Sequence, residues 1–372
     1  MRLRRRAWML GMSGLWPWAA DPARAEAAPR ALQFPADFGA HPEVRTEWWY
    51  ATGWLAPAGG DPAQPMPTHG FQITFFRSRT TVPQDHPSTF AARQLVFAHA
   101  ALTDLSAPPA AALRYDQRIA RQGFGLAQAA EGDTAVALRG WQLQRQGPVA
   151  QSVYLVQAAT APGGFTLALD LATTQPLLLH GDDQGRWLNG PQPALASRYY
   201  SQPQLHASGT VDLAGRGPRL QGRAWLDHEW KETLLDADSV GWDWVGMNLH
   251  DGAALMVIRT RRADGTASWA AGSYRAGPDA PVRRFAPGEL RFTAVRHWVS
   301  PATHTRYPVQ WQVDTPVGRF GVNALRDAQE LDSRRSTGTV YWEGLAELRD
   351  DQDRRVGLGY LELTGYAGAL RP

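Results

Sequence analysis

The strongest pattern in the chain is a series of short segments in which apolar, β-branched and aromatic residues alternate with polar ones. Gly, Pro and Asp, which turns favour, separate these segments. Alternation with a period of two places every second side chain on the same face, so the pattern predicts antiparallel strands of a sandwich or barrel. The clearest examples are residues 71–76, 152–156, 165–169, 254–258 and 308–313.

Helical patterns are weak throughout the chain. The best helical candidate, residues 113–121, lacks a clear N-cap and fits a strand as well. The 36 glycines and 27 prolines also leave little room for long helices. We therefore predict an all-β protein.

The length of 372 residues fits two domains or one large β-rich domain, at roughly 150 residues per domain. The strand pattern is interrupted by Gly190-Pro191-Gln192-Pro193 and by Gln202-Pro203. We therefore predict two antiparallel β-barrel domains in tandem, an N-terminal one over residues 26–200 and a C-terminal one over residues 201–372.

The first 25 residues have the features of a signal peptide. Three arginines at residues 4–6 precede an apolar run over residues 8–20 and the small-residue site Ala23-Arg24-Ala25. The paired arginines resemble a twin-arginine signal, which predicts a periplasmic or secreted protein. The apolar run is shorter than the roughly 20 residues that span a bilayer, so we expect no stable membrane anchor. The alternative, an interfacial helix, is disfavoured by Gly14 and Pro17.

Composition excludes several functions. The net charge is +3, but residues 1–25 hold five arginines against one aspartate, so the rest of the chain carries about −1. Such a chain has no basic field for nucleic acid. The absence of cysteine excludes disulfides, thiolate nucleophiles and cysteine-based metal sites. The ten histidines are scattered singly and predict no metal site.

Four aromatic segments, at residues 45–53, 224–230, 240–244 and 360–366, carry a family resemblance. Weaker matches between them include His99-Ala100-Ala101 and Tyr341-Trp342-Glu343-Gly344. In this order the segments resemble the lipocalin-like family that includes AttH and the carotenoid 1,2-hydratases, from about Phe34 to Tyr366. The resemblance implies two lipocalin-like β-barrels packed together. It leaves the activity open, because some relatives hydrate isoprenoid double bonds and others have no known activity.

Strand alternation sorts the candidate site residues onto faces. In residues 224–231 one face carries Leu226, His228 and Trp230, and the other carries Trp225, Asp227, Glu229 and Lys231. In residues 241–249, Trp242 shares a face with Trp244, whereas Asp243 shares one with Val245 and Met247. We expect these two strands to be neighbours and their acidic and aromatic residues to surround one cavity.

This combination suits acid-catalysed hydration of an alkene. Burial keeps a carboxylic acid protonated, so Asp227, Glu229 or Asp243 could supply a proton, and His228 could activate water. Aromatic faces stabilise the resulting cation. The candidate ligand-binding residues are Trp48, Trp49, Tyr50, Trp230, Trp242 and Trp244. No cofactor is needed for this chemistry.

The candidate site residues can also be interpreted as purely structural. Tryptophans at strand spacing are often core, Asp227 and Glu229 could pair with Lys231, and His228 could be a hydrogen-bonded structural histidine. The carotenoid hydratases also lead us to expect a tyrosine and an acid on the strand after His228-Glu229-Trp230, where this chain has Ala254-Leu255-Met256-Val257-Ile258. That departure puts carotenoid hydration in doubt.

Two functional hypotheses remain. The first, which we favour narrowly, is an exported lipocalin-like protein that binds a small apolar ligand, isoprenoid or lipid-like, in a barrel or inter-domain cavity. The alternative is a cofactor-free hydratase or isomerase of an isoprenoid-like substrate, acting through Asp227, His228, Glu229 and Asp243. Protein partners cannot be read from the sequence.

Overall fold

The computed structural model describes residues 30–61, 65–161, 164–213 and 217–370. In this part of the chain two antiparallel β-sheets make up almost all of the regular structure. The predicted signal peptide, residues 1–25, lies outside the described residues.

The first sheet is formed by the N-terminal strands. They are β1 (Thr46–Pro57), β2 (His69–Arg79), β3 (Gln94–Asp104), β4 (Leu113–Arg121), β5 (Ala127–Ala129), β6 (Ala135–Leu138), β7 (Trp141–Gln146), β8 (Val153–Ala159), β9 (Thr166–Ala172), β10 (Leu178–Leu179), β11 (Arg186–Leu188), β12 (Ala196–Asp212) and β13 (Arg219–Lys231). Their order is β4-β3-β2-β1-β13-β12-β9-β8-β7-β6-β5, with β10 and β11 paired to β12.

The second sheet is formed by the C-terminal strands. They are β14 (Gly241–Leu249), β15 (Ala254–Arg261), β16 (Ala267–Arg275), β17 (Arg283–Phe285), β18 (Arg291–Val299), β19 (Arg306–Thr315), β20 (Gly318–Ala324), β21 (Glu330–Asp332), β22 (Val340–Arg349) and β23 (Arg355–Leu363). Their order is β17-β16-β15-β14-β23-β22-β20-β19-β18, with β21 paired to β22.

Helical structure is confined to short turns in the described ranges. They are α1 (Pro109–Ala112) and three 3₁₀ turns, Ala36–Phe38, Val149–Gln151 and Pro193–Leu195. The weak helical candidate at residues 113–121 is strand β4, and all five predicted strand segments coincide with strands, except that Ser152 and Phe165 lie just before β8 and β9. The prediction of an all-β fold with two lipocalin-like antiparallel β-barrels in tandem is confirmed.

The chain passes from the first sheet to the second between Lys231 and Gly241. The predicted domain boundary, between residues 200 and 201, falls inside β12. The Gln202-Pro203 pair interrupts the sequence pattern but not the strand, because the pairing register shifts between Gln202 and Leu205, where Gln204 has φ 57°. Such a bulge accommodates a proline that cannot donate to the ladder. The change of sheet therefore comes after β13.

Three apolar cores follow from the burial of both faces of the central strands. Trp49 and Ala51 of β1 point into the first barrel, whereas Tyr50 packs in a third core between the barrels. In the same way, β14 sends Val245 into the second barrel and Trp244 into the third core. Strands buried on both faces need apolar or aromatic residues at consecutive positions. The two barrels are therefore packed together through their outer faces.

Gly70 of β2 lies where the two barrels touch. A Cβ atom there would lie 2.9 Å from the Tyr360 hydroxyl and 3.1 Å from Leu345 Cβ, both in the second sheet. Gly70→Val should therefore lower the free energy of unfolding by about 1–3 kcal/mol through overpacking. Gly60→Val is the control, because a Cβ there meets nothing within 4 Å. Urea unfolding monitored by tryptophan fluorescence tests this, and equal effects of the two substitutions would contradict it.

Candidate functional site

The candidate site is a cavity of about 280 Å³ between the two barrels. Its walls are mainly apolar and include eight aromatic side chains and four carboxyl groups. The aromatic residues are Trp48, Tyr50, Phe76, Phe97, Tyr199, Trp242, Trp244 and Tyr341, and the carboxyl groups belong to Asp227, Glu229, Glu343 and Glu362.

Strand register brings these groups together. Cross-strand pairing of β1 with β13 sets Tyr50 opposite Asp227 and Trp48 opposite Glu229. In the second sheet, pairing sets Glu362 of β23 opposite Trp244 on one side and opposite Glu343 on the other. Directly opposed residues of neighbouring strands are close on the same face. Each barrel therefore contributes carboxyl groups with aromatic neighbours.

Asp227 is buried and accepts two hydrogen bonds at one oxygen. The Ser201 hydroxyl and the Trp225 Nε1–H both donate to Oδ1, the latter at 2.7 Å. Burial raises the pKa of Asp227 to about 7, and the charge of Glu229 acts in the same direction while the donors oppose it. Near neutral pH, Asp227 therefore exchanges readily between acid and carboxylate.

Glu343, which is buried, and Glu362, which is partly buried, form a pair of opposed acids. Burial raises the pKa of Glu343 well above its usual value, and the neighbouring Glu362 adds to the shift. Burial likewise raises the pKa of Glu362 to about 8, with the charges of Asp227 and Glu229 contributing. Two opposed carboxyls cannot both ionise at low cost, so the protonated form is favoured at each of them.

The carboxyl group of Glu343 is also unsatisfied. It is 4% exposed, and neither of its oxygens has a hydrogen-bond partner among the described residues. The buried Tyr50 hydroxyl is the neighbour that acts on Glu343 as a hydrogen-bond donor and lowers its pKa, although the contact falls outside regular hydrogen-bond geometry. Buried polar groups are usually hydrogen-bonded, so an exception of this kind needs an explanation.

Glu229 has a different environment. Asn189 Nδ2 donates to its Oε1 at 3.1 Å, and Lys231 Nζ lies 3.2 Å from the same oxygen. The Lys231 ammonium also lies 4.9 Å from the centre of the Trp48 ring. Glu229 is therefore the charge-paired carboxylate of the cavity, as the structural interpretation of the sequence expected.

His228 lies on the opposite face of β13, inside the first barrel, and not in the cavity. Its Nε2 lies 2.9 Å from Glu47 Oε1, and its Nδ1 accepts from the Tyr200 hydroxyl at 2.9 Å. Its ring stacks on Trp49 at 4.6 Å. Burial lowers the pKa of His228 to about 4, although Glu47 opposes this shift, so the ring is neutral. In this structure His228 cannot reach water bound in the cavity.

His41, Glu47 and His228 place one ligand atom each within 4.8 Å of one another, as a metal site would. The three side chains already bond to each other, since His41 Nδ1 lies 2.7 Å from Glu47 Oε1. Arg77 Nε donates to the other Glu47 oxygen at 2.7 Å. A cation would have to break these bonds beside a buried guanidinium. We therefore assign this cluster a structural role.

Asp243, Trp49 and Trp230 also lie away from the cavity. Asp243 points into the second barrel, where it pairs with Arg259 at 2.6 Å and Arg261 at 3.3 Å. Trp49 belongs to the core of the first barrel, and Trp230 stacks on His41 at 3.8 Å. The predicted residues that the structure does bring together around the cavity are Asp227, Glu229, Trp48, Tyr50, Trp242 and Trp244.

Sequence reasoning missed Glu343 and Glu362 as site residues. Each lies in an aromatic motif that carried the family resemblance, at residues 341–344 and 360–366. A single acid within an apolar strand was the available signal of a buried carboxyl. His99 was missed as well. Its Nδ1 lies 2.8 Å from the Tyr341 hydroxyl, and burial lowers its pKa to about 3.

The fold and the cavity define a class of protein, with two lipocalin-like β-barrels that enclose an acidic, aromatic cavity between them. The sequence model of the AttH-like family matches residues 25–366, and the chain belongs to this family. No curated protein matches the chain. Within the described residues, no helix has the length and apolar character needed to cross a membrane.

Solved structures share this architecture. An AttH protein from Nitrosomonas europaea is 42% identical, with a TM-score of 0.79 over 91% of this chain and 98% of that one. Kievitone hydratase from Nectria haematococca is 13% identical, with a TM-score of 0.63 over 91% of this chain and 94% of that one. CghA is 12% identical, with a TM-score of 0.50 over 88% of this chain and 90% of that one. The last two likenesses concern the fold alone.

The raised pKa of Asp227 predicts a pH-dependent stability. Between about pH 4 and pH 7 the folded protein holds a proton on Asp227 that the unfolded chain has lost, so this group makes the wild type less stable as pH rises. Asp227→Asn cannot ionise at this position, so it does not lose stability in this way as the pH rises. Its free energy of unfolding relative to wild type should therefore increase across this range and level off above it. Urea unfolding of both proteins at several pH values measures the difference, and a flat difference would contradict the assignment.

Proposed function

We propose that this protein is a cofactor-free hydratase or isomerase that acts on a carbon–carbon double bond of an apolar, isoprenoid-like substrate in the inter-barrel cavity. The observation that carries the proposal is the set of carboxyls with raised pKa values facing aromatic side chains, above all Glu343, whose oxygens have no regular hydrogen bond among the described residues and only the Tyr50 hydroxyl as a neighbouring donor. A core that served packing alone would gain stability from a hydrophobic residue at this position. An acid that must give its proton to an apolar substrate needs such a site.

The reaction follows from the positions of the acids. Glu343, or Glu362 beside it, transfers its proton to the less substituted carbon of the alkene and becomes a carboxylate. The tertiary cation that forms is stabilised by the faces of Trp48, Trp242 or Trp244. Water adds to the cation, and its surplus proton returns to the first carboxylate, either directly or by way of Asp227. The sum is the addition of one water molecule, and loss of a different proton from the cation gives isomerisation instead.

The pKa values fit these roles. A general acid and a general base work best when their pKa values lie near the working pH. The pKa of Asp227 is about 7 and that of Glu362 is about 8, so at neutral pH one can accept a proton while the other donates. The predicted base His228 is replaced in this scheme by Asp227, because His228 lies inside the first barrel.

The comparisons add limited support. One protein with a similar fold is by name a hydratase of kievitone. At 13% identity this likeness extends to the fold alone, so the chemistry proposed here stands on the carboxyl groups of the present chain.

A second candidate function is binding of an apolar ligand without turnover. It is favoured by the aromatic lining of the cavity and by the charge pairing of Glu229 with Lys231, which resembles a structural contact. Binding alone gives no reason for the unpartnered acid at Glu343. We therefore place this candidate second.

The test uses geraniol and a prenylated phenol as probes in water labelled with heavy oxygen. Wild-type protein should add labelled water to the prenyl double bond, as measured by mass spectrometry. Glu343→Gln keeps the shape of the side chain but removes its acidic proton, so turnover should fall by about 100-fold or more.

Glu347→Gln is the matched control. Glu347 lies on the same strand and the same face as Glu343, but it pairs with Arg349 at 2.6 Å outside the cavity. It should retain wild-type turnover. Equal turnover by the Glu343 and Glu347 variants would overturn the role of Glu343. Tight binding of both probes with no labelled product would favour the binding function instead.

We also propose that the protein is exported, on the basis of the arginines at residues 4–6 and the Ala23-Arg24-Ala25 site. The mature protein should begin at or near Glu26. Amino-terminal sequencing of native protein from the periplasmic fraction tests this, and an intact Met1 terminus would contradict it.

A further inference from the structure

A line of buried side chains leads from the second barrel to Asp227. Ser273 Oγ of β16 lies 3.0 Å from His180 Nδ1, and His180 Nε2 lies 2.6 Å from Ser201 Oγ. The Ser201 hydroxyl donates in turn to Asp227 Oδ1. Ser273, His180 and Ser201 are fully buried. The line therefore connects the two barrels without passing through solvent.

The direction of these hydrogen bonds is determined by their chemistry. Burial lowers the pKa of His180 to about 3, and the charges of Arg284 and Arg275 act in the same direction, so the imidazole is neutral and has one N–H. Ser201 gives its single proton to Asp227, so its oxygen accepts from His180 Nε2–H. The unprotonated Nδ1 then accepts from Ser273. Every proton in the line points toward Asp227.

We propose that His180 is a positioning residue for Asp227: together with Ser201 and Ser273 it directs a line of donors at Oδ1 and so holds the carboxyl group able to release and accept protons. As a statement about catalysis, this inference rests on the proposed function. As a statement about the ionisation of Asp227, it stands on the geometry alone.

The surroundings of Asp227 explain why it needs these hydrogen-bond donors in order to ionise. The charge of Glu229 disfavours the negative charge of Asp227, whereas the neighbouring Tyr199 hydroxyl lowers the pKa of Asp227 as a hydrogen-bond donor but brings no positive charge. Glu362 lies close enough for the charge of Asp227 to raise its pKa. Without these donors, burial and the charge of Glu229 would raise the pKa of Asp227 further. Because Trp225 also donates to Oδ1, the proton of the acid form belongs on Oδ2. The donors thus fix which oxygen exchanges the proton.

The experiment measures the ionisation of Asp227 directly, by carbon-13 NMR of protein labelled at the aspartate carboxyls. The Asp227 signal is identified by its loss in Asp227→Asn. His180→Leu removes both hydrogen bonds of the imidazole, and the Asp227 midpoint should move upward by about one pH unit. His180→Gln can still accept from Ser273 and donate to Ser201, so it should restore a midpoint close to that of wild type.

Ser273→Ala provides a second test in which the substitution is small and lies in the other barrel. It should raise the midpoint in the same direction by less than His180→Leu. The matched control is Ser300→Ala, which removes a buried serine that donates to Glu330 Oε1 at 2.7 Å, away from the cavity lining. This control should leave the Asp227 midpoint unchanged.

An unchanged midpoint in Ser273→Ala and in His180→Leu would overturn the proposal. If His180→Leu does not fold, Ser273→Ala decides alone against its serine control. Because NMR reports Asp227 without any substrate, failure of the hydration assay would leave this result intact. A shifted midpoint without hydration would uphold the hydrogen-bond line and reject the catalytic role.

Discussion

The structure depends on the burial of both faces of the central strands, because each barrel covers the outer face of the other. A carboxyl group on those faces cannot be solvated, so it must find a cation, find hydrogen-bond donors or stay protonated. The chain uses all three solutions. Asp243 pairs with Arg259 and Arg261, Asp227 takes two donors at one oxygen, and Glu343 stays protonated.

This constraint separates structural carboxyls from chemically competent ones. Inside the first barrel, Glu47 is held by Arg77, His41 and His228, and its hydrogen bonds to His228 and His41 keep its pKa well below the usual range. Between the barrels, burial instead raises the pKa of Asp227 and Glu343. Burial is similar in both places, so the difference comes from the cations and donors around each group. The carboxyls with raised pKa values therefore lie between the barrels.

Strand alternation in the sequence predicted which residues share a face. The structure confirms that Asp227 and Glu229 lie on one face of β13 and His228 on the other. It could not predict which face meets the other barrel, because both faces are apolar and aromatic. For that reason Asp243 and His228 were assigned to the cavity although they point into the barrels. Glu343 could not be predicted as a cavity residue for another reason. More than a hundred residues separate it from β13, and only tertiary packing brings the two together.

The tandem arrangement is itself a condition of the proposed chemistry. The first barrel brings Asp227 and its donors on β12 and β13, and the second brings Glu343, Glu362 and the indoles of β14. Separated, each barrel would expose these acids to water, and their pKa values would return toward the ordinary range. Contact between the barrels therefore raises the pKa values of these carboxyl groups by excluding water from them. It also completes the donor line to Asp227, because Ser273 belongs to the second barrel and His180 to the first.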